Sequence, residues 1–471
     1  MKKLSELYNC KLDIEINDIK TNSKEINKSD MFVCVKGVNY DRHNFIDEAI
    51  KNGCSCLVVK KEGNYKVPYI KVDNPNKELG IISKKFYNNP LKKIKLIGIT
   101  GTDGKTTTAS IIRNMIGNNN CGYIGTNGVY CKDKILNENN TTPEINKTYK
   151  YLDTFVRNNL SYSTMEISSE ALLHDRTNTL ELDIAILTNI TEDHLNVHKN
   201  IDNYIKSKKK IFSLLKDSGT AIVNRDDKYY DQMLDINKKM LTYGKNKSSD
   251  LLIEDIKEYD YGTIFCFRYN NKYYKVKTSL FGEFNVYNLS CAILCLIALG
   301  YNVLDVISKI SDIEIISGRC EFIDFQQDYK IVLDYAHTSN GLKNILSYLN
   351  KIKKKRIITV TGSAGGREKE KRSKMGRVVL DLSDFVIFTM DDPRYENVND
   401  IINDLISDTK KNNYERIIDR ESAITKALSI ANKNDIVLIV GKGRDNYMAI
   451  EDKKIKYNDF DVIKKYFDML N

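Results

Sequence analysis

Short apolar runs alternate with stretches of helix length through most of the chain. Residues 94–100, 164–167, 184–189 and 221–224 are runs of apolar and β-branched side chains of strand length. With helices between them, they have the pattern of strands in a mostly parallel sheet. A second series begins near Gly318, with strands expected at 331–334, 357–361, 385–389 and 436–440 and helices at 342–349 and 401–409. Polar residues close these strands (Asp334, Gly362, Asp391, Gly441), where open α/β sheets place ligands. One hairpin is expected, 263–269 against 273–278 across Asn270-Asn271-Lys272. The first 91 residues differ: strands at 31–35, 56–59 and 69–72 and one helix at 45–52, closing at Asn88-Asn89-Pro90. At 471 residues the chain exceeds what one core supports, so three domains are expected, 1–91, 92–316 and 317–471.

One junction in this pattern carries chemistry. The apolar strand ending Ile97-Gly98-Ile99-Thr100 runs into Gly101-Thr102-Asp103-Gly104-Lys105-Thr106-Thr107 and then into a helical run, 107–115. Gly101 and Gly104 let backbone N–H groups turn toward an anion, and the helix start adds its positive dipole end. Lys105 supplies a compact charge and Thr106 a hydroxyl for Mg²⁺. The strict phosphate-loop pattern asks for a glycine where Ile99 stands, and Gly98 lies one residue too early. The strand before and the helix after still point to a nucleoside triphosphate cradle.

Composition narrows the class. Hydrophobic content is 41%, no run reaches the roughly 18 apolar residues of a membrane span, and Met1-Lys2-Lys3-Leu4-Ser5-Glu6 lacks the apolar core of a signal peptide, so the cytoplasm is the expected location. The ten cysteines show no Cys-x-x-Cys spacing, which implies neither zinc nor a disulfide framework. The net charge of +10 raises nucleic acid as a partner. No basic stripe interleaved with aromatics is present, so neither nucleic acid nor membrane is expected as a partner.

Two further constellations sit at strand ends. Met165-Glu166-Ile167-Ser168-Ser169 puts a carboxylate at the end of one strand, and Asp193-His194 follows the next. Each is weak alone, but beside a phosphate loop the pair suits Mg²⁺ held between phosphates and protein. At this point the chain resembles the Mur ligases over nearly its whole length. The resemblance rests on Thr21-Asn22-Ser23-Lys24-Glu25, the phosphate loop, Asn140-Thr141-Thr142-Pro143, Glu166 to Ser169 with Arg176, and Asp193-His194-Leu195. It continues through Ser207-Lys208-Lys209-Lys210-Ile211-Phe212, Asn224-Arg225-Asp226-Asp227, Phe284-Asn285-Val286-Tyr287-Asn288, Gly318-Arg319 and Asp334-Tyr335-Ala336-His337. Gly365-Gly366-Arg367-Glu368-Lys369, Asp391-Asp392-Pro393-Arg394 and Gly441-Lys442-Gly443 complete it.

The resemblance implies a three-domain α/β architecture with a central P-loop ATPase-like parallel sheet and a Rossmann-like C-terminal domain. It implies an ATP- and Mg²⁺-dependent ligase of peptidoglycan precursor synthesis, serving cell wall, cell shape and division, and expected to be a monomer. A substrate carboxylate, the D-Glu of a UDP-sugar dipeptide, is activated as an acyl phosphate, and a diamino acid then displaces phosphate. By resemblance, Lys105, Glu166, His194 and Lys208 are catalytic, with Thr106, Glu166, His194 and Lys208 at the metal and Lys208 carbamylated by CO₂. ATP falls to Gly101, Thr102, Asp103, Gly104, Lys105, Thr106, Thr107, Asn285, Asn288, Arg319 and Asp334. The UDP-sugar falls to Ser23, Thr141, Thr142, Ser168 and Arg176, and the amino acid to Arg367, Asp391, Asp392, Arg394, Gly441 and Asp445.

At the amino-acid side the residues point two ways. Arg367 and Arg394 offer two guanidinium forks to the distal carboxylate of meso-diaminopimelate. Asp392 stands where diaminopimelate-adding relatives carry Asn, and its charge would favour a distal ammonium, as in L-lysine. Arg444-Asp445 in place of His-Glu, and Glu170 in place of His, leave open a related enzyme acting on another carboxylate outside the cell wall.

Overall fold

A computed structural model of the chain describes every residue except 38, 39, 137, 139, 315 and 471. Three sheets organise it. The first, in residues 1–91, has the order Ile19–Lys20, Met31–Val33, Cys56–Val59, Tyr69–Lys71 and is parallel throughout. Besides the helix Ile46–Lys51 this block holds a longer one, Pro75–Phe86, that the single expected helix left out. Its start is set by Asn74, whose side chain accepts from the N–H groups of Asn76 and Lys77, and by Pro75 in the first turn. Leu79, Ile82 and Phe86, spaced three and four apart, bury one face.

The central sheet has eleven strands. From edge to edge they are Asp133–Leu136, Gly128–Cys131, Cys121–Gly125, Tyr162–Glu166, Lys95–Thr100, Leu182–Leu187, Leu215–Asn224, Lys239–Gly244, Leu251–Tyr259, Gly262–Tyr269 and Lys272–Thr278. The middle seven run parallel, and antiparallel additions close both edges. The strand expected at 184–189 stops at Leu187 because Thr188 and Asn189 turn to hold the phosphate loop. In the hairpin the turn is two residues, Asn270 and Asn271 at φ +47° and +60°, so Lys272 pairs with Tyr269. Two left-handed residues match the strand twist, and asparagine tolerates them.

The third sheet has the order Glu321–Ile323, Lys330–Asp334, Ile436–Val440, Ile357–Thr361, Phe385–Phe388, Tyr414–Arg416, parallel except for the first strand. A separate hairpin, Tyr447–Ile450 with Lys453–Lys456, lies beside it. All ten cysteines are unpaired. Among the described residues no helix is long and apolar enough to cross a membrane.

Candidate active site at the phosphate loop

The strand Lys95–Thr100 lies in the middle of the central sheet and ends in the phosphate loop, and the helix Lys105–Ile116 follows. Gly101 has φ +153° and a Cβ there would collide with the Thr188 hydroxyl; Gly104 has φ +84° and a Cβ would meet Asn288 Oδ1. Neither position accepts another residue without displacing the loop. Asn189 holds the loop from the next strand, Oδ1 accepting from Asp103 N at 2.9 Å and Nδ2 donating to Asp103 O at 3.0 Å. Thr102 N donates to the Asn189 carbonyl at 2.9 Å.

Lys105 donates to the carbonyls of Gly101 (3.0 Å) and Thr102 (2.9 Å). Burial lowers its ammonium below the usual lysine range, against the pull of Glu166 and Asp103. Behind it, Lys208 donates to the same Gly101 carbonyl at 2.7 Å, is 2% exposed, and rests 4.5 Å over the Tyr204 ring. Burial pushes its amine well below the lysine range, and the Lys105 cation adds to this. It sits on the helix Ile201–Lys209, where the run Lys206-Ser207-Lys208-Lys209-Lys210 gave no sign of one lysine turned inward.

Glu166 ends the neighbouring strand and is fully buried. Oε2 accepts from Thr106 Oγ1 at 2.9 Å and Thr126 Oγ1 at 3.2 Å; Oε1 accepts from Thr126 N at 3.0 Å and from the Tyr123 hydroxyl. Sequence reasoning missed Tyr123 and Thr126, which come from an adjacent strand, Cys121–Gly125, and the turn after it. His194 lies across the loop at φ +57°, its Nε2 3.3 Å from Asp193. Burial lowers its imidazole to about 3 and outweighs the Asp193 carboxylate, while Arg367, Lys208 and Lys105 push the same way. It is therefore neutral at pH 7, as a ligand nitrogen must be. Among the described residues no group of three or more His, Cys, Asp and Glu side chains could hold a metal. The Thr106 hydroxyl and the Glu166 carboxylate nevertheless form an oxygen pair of the kind Mg²⁺ takes along with phosphates and water.

The UDP-sugar candidates fall into two groups. Thr142 Oγ1 donates to Glu166 O at 3.0 Å and accepts from Ser168 N at 2.9 Å, Arg176 donates to Thr142 O at 3.3 Å, and Thr141 meets Thr126 at 3.1 Å. Ser168 Oγ caps the short helix that follows it. Ser23 stands apart in the first block, its hydroxyl donating to Glu48 at 2.6 Å.

The third domain closes the loop from the opposite side. Arg319 donates to Thr106 Oγ1 at 3.2 Å and stacks on Tyr335 at 4.7 Å; Asn340 and Thr338 donate to Asp103 at 3.0 and 3.4 Å. Lys371 pairs with Asp193 at 3.3 Å. Asn288 donates to Asn285 at 3.0 Å and accepts from Thr108 at 3.3 Å, placing both asparagines behind Gly104. Asp334 is buried with both oxygens occupied by the N–H groups of Cys320 and Ala336, and burial raises its carboxyl against the pull of Arg319.

At the amino-acid candidates, the Arg394 guanidinium lies beside Gly366, next to Arg367. Among the described residues neither guanidinium has a protein partner. Asp392, whose charge sequence suggested would favour a distal ammonium on the amino acid, lies 2.8 Å from the ammonium of Lys442. Lys442 itself was passed over, although it lies between the Gly441 and Asp445 that were singled out.

Residues 99–296 match the Mur ligase middle domain and residues 318–443 the Mur ligase glutamate ligase domain. The chain is 38% identical over 467 residues to the UDP-N-acetylmuramoyl-L-alanyl-D-glutamate–2,6-diaminopimelate ligase of Fusobacterium nucleatum, covering 98% of this chain and 95% of that one. It is 35% identical over 473 residues to such a ligase of Clostridium acetobutylicum, covering 99% and 97%. Among solved structures it is similar to a UDP-N-acetylmuramoyl-L-alanyl-D-glutamate–2,6-diaminopimelate ligase (TM-score 0.67, 24% identity, 100% and 99% covered). It is also similar to Thermotoga maritima MurF ligase in complex with ADP (TM-score 0.68, 20% identity, 91% and 95% covered). The chain belongs to the Mur ligase family.

Proposed function

We propose that the chain joins meso-diaminopimelate to the D-Glu carboxyl of UDP-N-acetylmuramoyl-L-alanyl-D-glutamate, with ATP as the activating substrate. The carboxylate attacks the γ-phosphorus and ADP leaves; the amine then attacks the acyl carbon, and phosphate and a proton leave. Lys105 and the loop N–H groups stabilise charge on the phosphoryl oxygens, Arg319 reaches the phosphates from the third domain, and Asn285 and Asn288 lie toward the adenine. Asp334 orders the backbone at Cys320 and Ala336 and so places the ribose edge. When bound, Mg²⁺ supplies positive charge at the phosphates; Thr106, Glu166, His194 and a carbamate on Lys208 would hold it. Dryness and a neighbouring cation push the Lys208 amine toward its neutral form, the form that reacts with CO₂. Lys208→Ala is expected to be nearly inactive and partly restored by short carboxylates.

Ser23, Thr141, Thr142, Ser168 and Arg176 receive the UDP-sugar dipeptide, and Arg367, Asp391, Asp392, Arg394, Gly441 and Asp445 form the amino-acid side. The working division is 1–91, 92–316 and 317–471, in a cytoplasmic monomer that uses no nucleic acid. The observation that carries diaminopimelate is the pair of partnerless guanidinium groups at Arg367 and Arg394, with the Asp392 charge cancelled by Lys442. Facing two such donors with an ammonium costs several kcal/mol, roughly 10³-fold in selectivity. The test is kcat/KM for meso-diaminopimelate against L-lysine, read as phosphate release that depends on the UDP-sugar dipeptide. Preference for lysine, or Arg394→Ala leaving diaminopimelate use unchanged, refutes the reading.

A further inference from the structure

The turn at 391–394 is held by a buried lysine. Lys442 is 1% exposed, with its ammonium 2.8 Å from Asp392 Oδ1, 3.5 Å from Asp445 Oδ2 and 3.9 Å from Asp391 Oδ1. Its ammonium lies 5.4 Å over the Tyr447 ring. The same Asp392 oxygen accepts from Ala449 N at 2.9 Å. Arg394 N donates to Ala449 O at 3.1 Å and Glu451 N to Arg394 O at 2.9 Å, so the strand Tyr447–Ile450 lies along the turn. Asp392 and Arg394 both have left-handed φ, +29° and +52°. Side-chain residues rarely adopt that conformation unless the surroundings impose it. Here the imposing contacts converge on one carboxylate, and the cation that neutralises it is Lys442. Tyr335 adds a hydrogen bond to Asp445 at 3.0 Å, which keeps the second carboxylate on the same ammonium.

We propose that Lys442 is a positioning residue that sets amino-acid specificity: by neutralising Asp392 and pinning the 391–394 turn, it leaves the Arg394 guanidinium free for a carboxylate on the incoming amino acid. Without Lys442, Asp392 is an uncancelled anion two residues from Arg394, able to pair with that arginine or to attract an ammonium. The pocket then turns from one that takes a distal carboxylate into one that takes a distal cation. The inference rests on the amino-acid reading above.

The test compares full-length wild type, Lys442→Met, Lys442→Arg, Asp392→Asn and the Asp392→Asn/Lys442→Met double variant, measuring kcat and KM for meso-diaminopimelate, L-lysine and ATP. Lys442→Met is expected to raise the KM for diaminopimelate and to lower the diaminopimelate-to-lysine preference at least tenfold, with the KM for ATP within threefold of wild type. The double variant, with the charge and its counter-charge removed together, is expected to regain most of that preference, and Lys442→Arg to keep it. A merely structural lysine would lower kcat for both amino acids alike and would not be rescued by Asp392→Asn. Unchanged preference in Lys442→Met, or a folded double variant as unselective as the single one, overturns the inference. If Lys442→Met does not fold, the double variant decides: retained preference supports the inference and lost preference overturns it. A wild type that prefers L-lysine overturns both this and the substrate reading; a wild type that prefers diaminopimelate beside an unchanged Lys442→Met overturns this one alone.

Discussion

The two interfaces of the central sheet are built from opposite materials. Toward the first block a single apolar core runs straight through: Leu4, Leu7, Met31, Val58, Ile82 and Phe86 pack in one cluster with Leu96, Tyr149, Leu152, Met165 and Leu187. Toward the third domain the apolar cores stay separate, and among the described residues Phe281 and Phe284, at or just before the start of the helix Glu283–Ala298, are the central-domain side chains that lean across. The contact there is polar: Asp103 to Thr338 and Asn340, Arg319 to Thr106, Lys371 to Asp193, and Lys374 to Glu192 at 2.7 Å. Apolar burial is non-directional and large, so the first interface makes a fixed platform. Hydrogen bonds and an exposed ion pair such as Lys374–Glu192 exchange with water at little net cost, so the second interface is the one suited to part and close again. A ligase that must admit ATP and an amino acid, then exclude water from an acyl phosphate, needs one interface of each kind.

Removing the phosphate-loop cation should separate chemistry from architecture most sharply. Lys105→Ala is expected to lower kcat about 10³-fold or more, because the transferring phosphoryl group loses a fixed charge in a dry site. Its melting temperature should hold or rise, since the lysine is buried at a cost. Near-normal phosphate release by folded Lys105→Ala protein would contradict this. The mirror experiment lies at the apolar interface. Ile82, fully buried on the helix Pro75–Phe86, packs toward the helix Ile145–Arg157. Ile82→Ala is expected to cost about 2–5 kcal/mol of stability, seen as a lower melting temperature, with kcat at 25 °C little changed. A variant as stable as wild type would show that the platform is not held by this core.

Much of this was legible in sequence, for reasons that also mark the limit. The phosphate loop could be read because its requirements are local: two glycines, a lysine and a threonine between a strand and a helix. Buried parallel strands could be read because both faces are apolar. The partners of Glu166 could not, because Tyr123 is 43 residues away in sequence and adjacent only through the strand order of the sheet. The pairing of Asp392 with Lys442 was hidden for the same reason: Lys442 arrives from the end of a different strand, 50 residues on. The helix Pro75–Phe86 carried its start signal in Asn74-Pro75 and was simply passed over.

A gentler cut at the polar interface comes next in size. Asp103→Ala removes the acceptor of Thr338 and Asn340 while its backbone bonds to Asn189 remain. Two lost bonds to a charged group, each worth about 1.5–3 kcal/mol at most and partly replaced by water, should raise the KM for ATP about tenfold. The melting temperature of the unliganded protein should stay within a degree or two. A large fall in melting temperature would mean that this contact is structural and not a closing latch.

The smallest effect tests whether the apolar interface is indifferent to charge. Asp18 lies within it, accepting from Tyr87 at 2.6 Å and from Lys150 of the central domain at 2.7 Å, with Lys20 at 2.9 Å. Burial pushes its carboxyl up, but the bonds from Lys150, Tyr87 and Lys20 prevail and bring it to about 2. Folded Asp18 therefore holds its proton less tightly than the unfolded group does. The stabilisation is fully present above the unfolded value near 4 and is lost as pH falls through about 2. After solvent screening this amounts to about 1–2 kcal/mol. The melting temperature of Asp18→Asn should lie a few degrees below wild type at pH 6, with the difference closing between pH 4 and pH 2. If the difference instead persists at pH 2, the loss comes from packing or from the asparagine itself, and the charge at Asp18 plays no part in joining the two blocks.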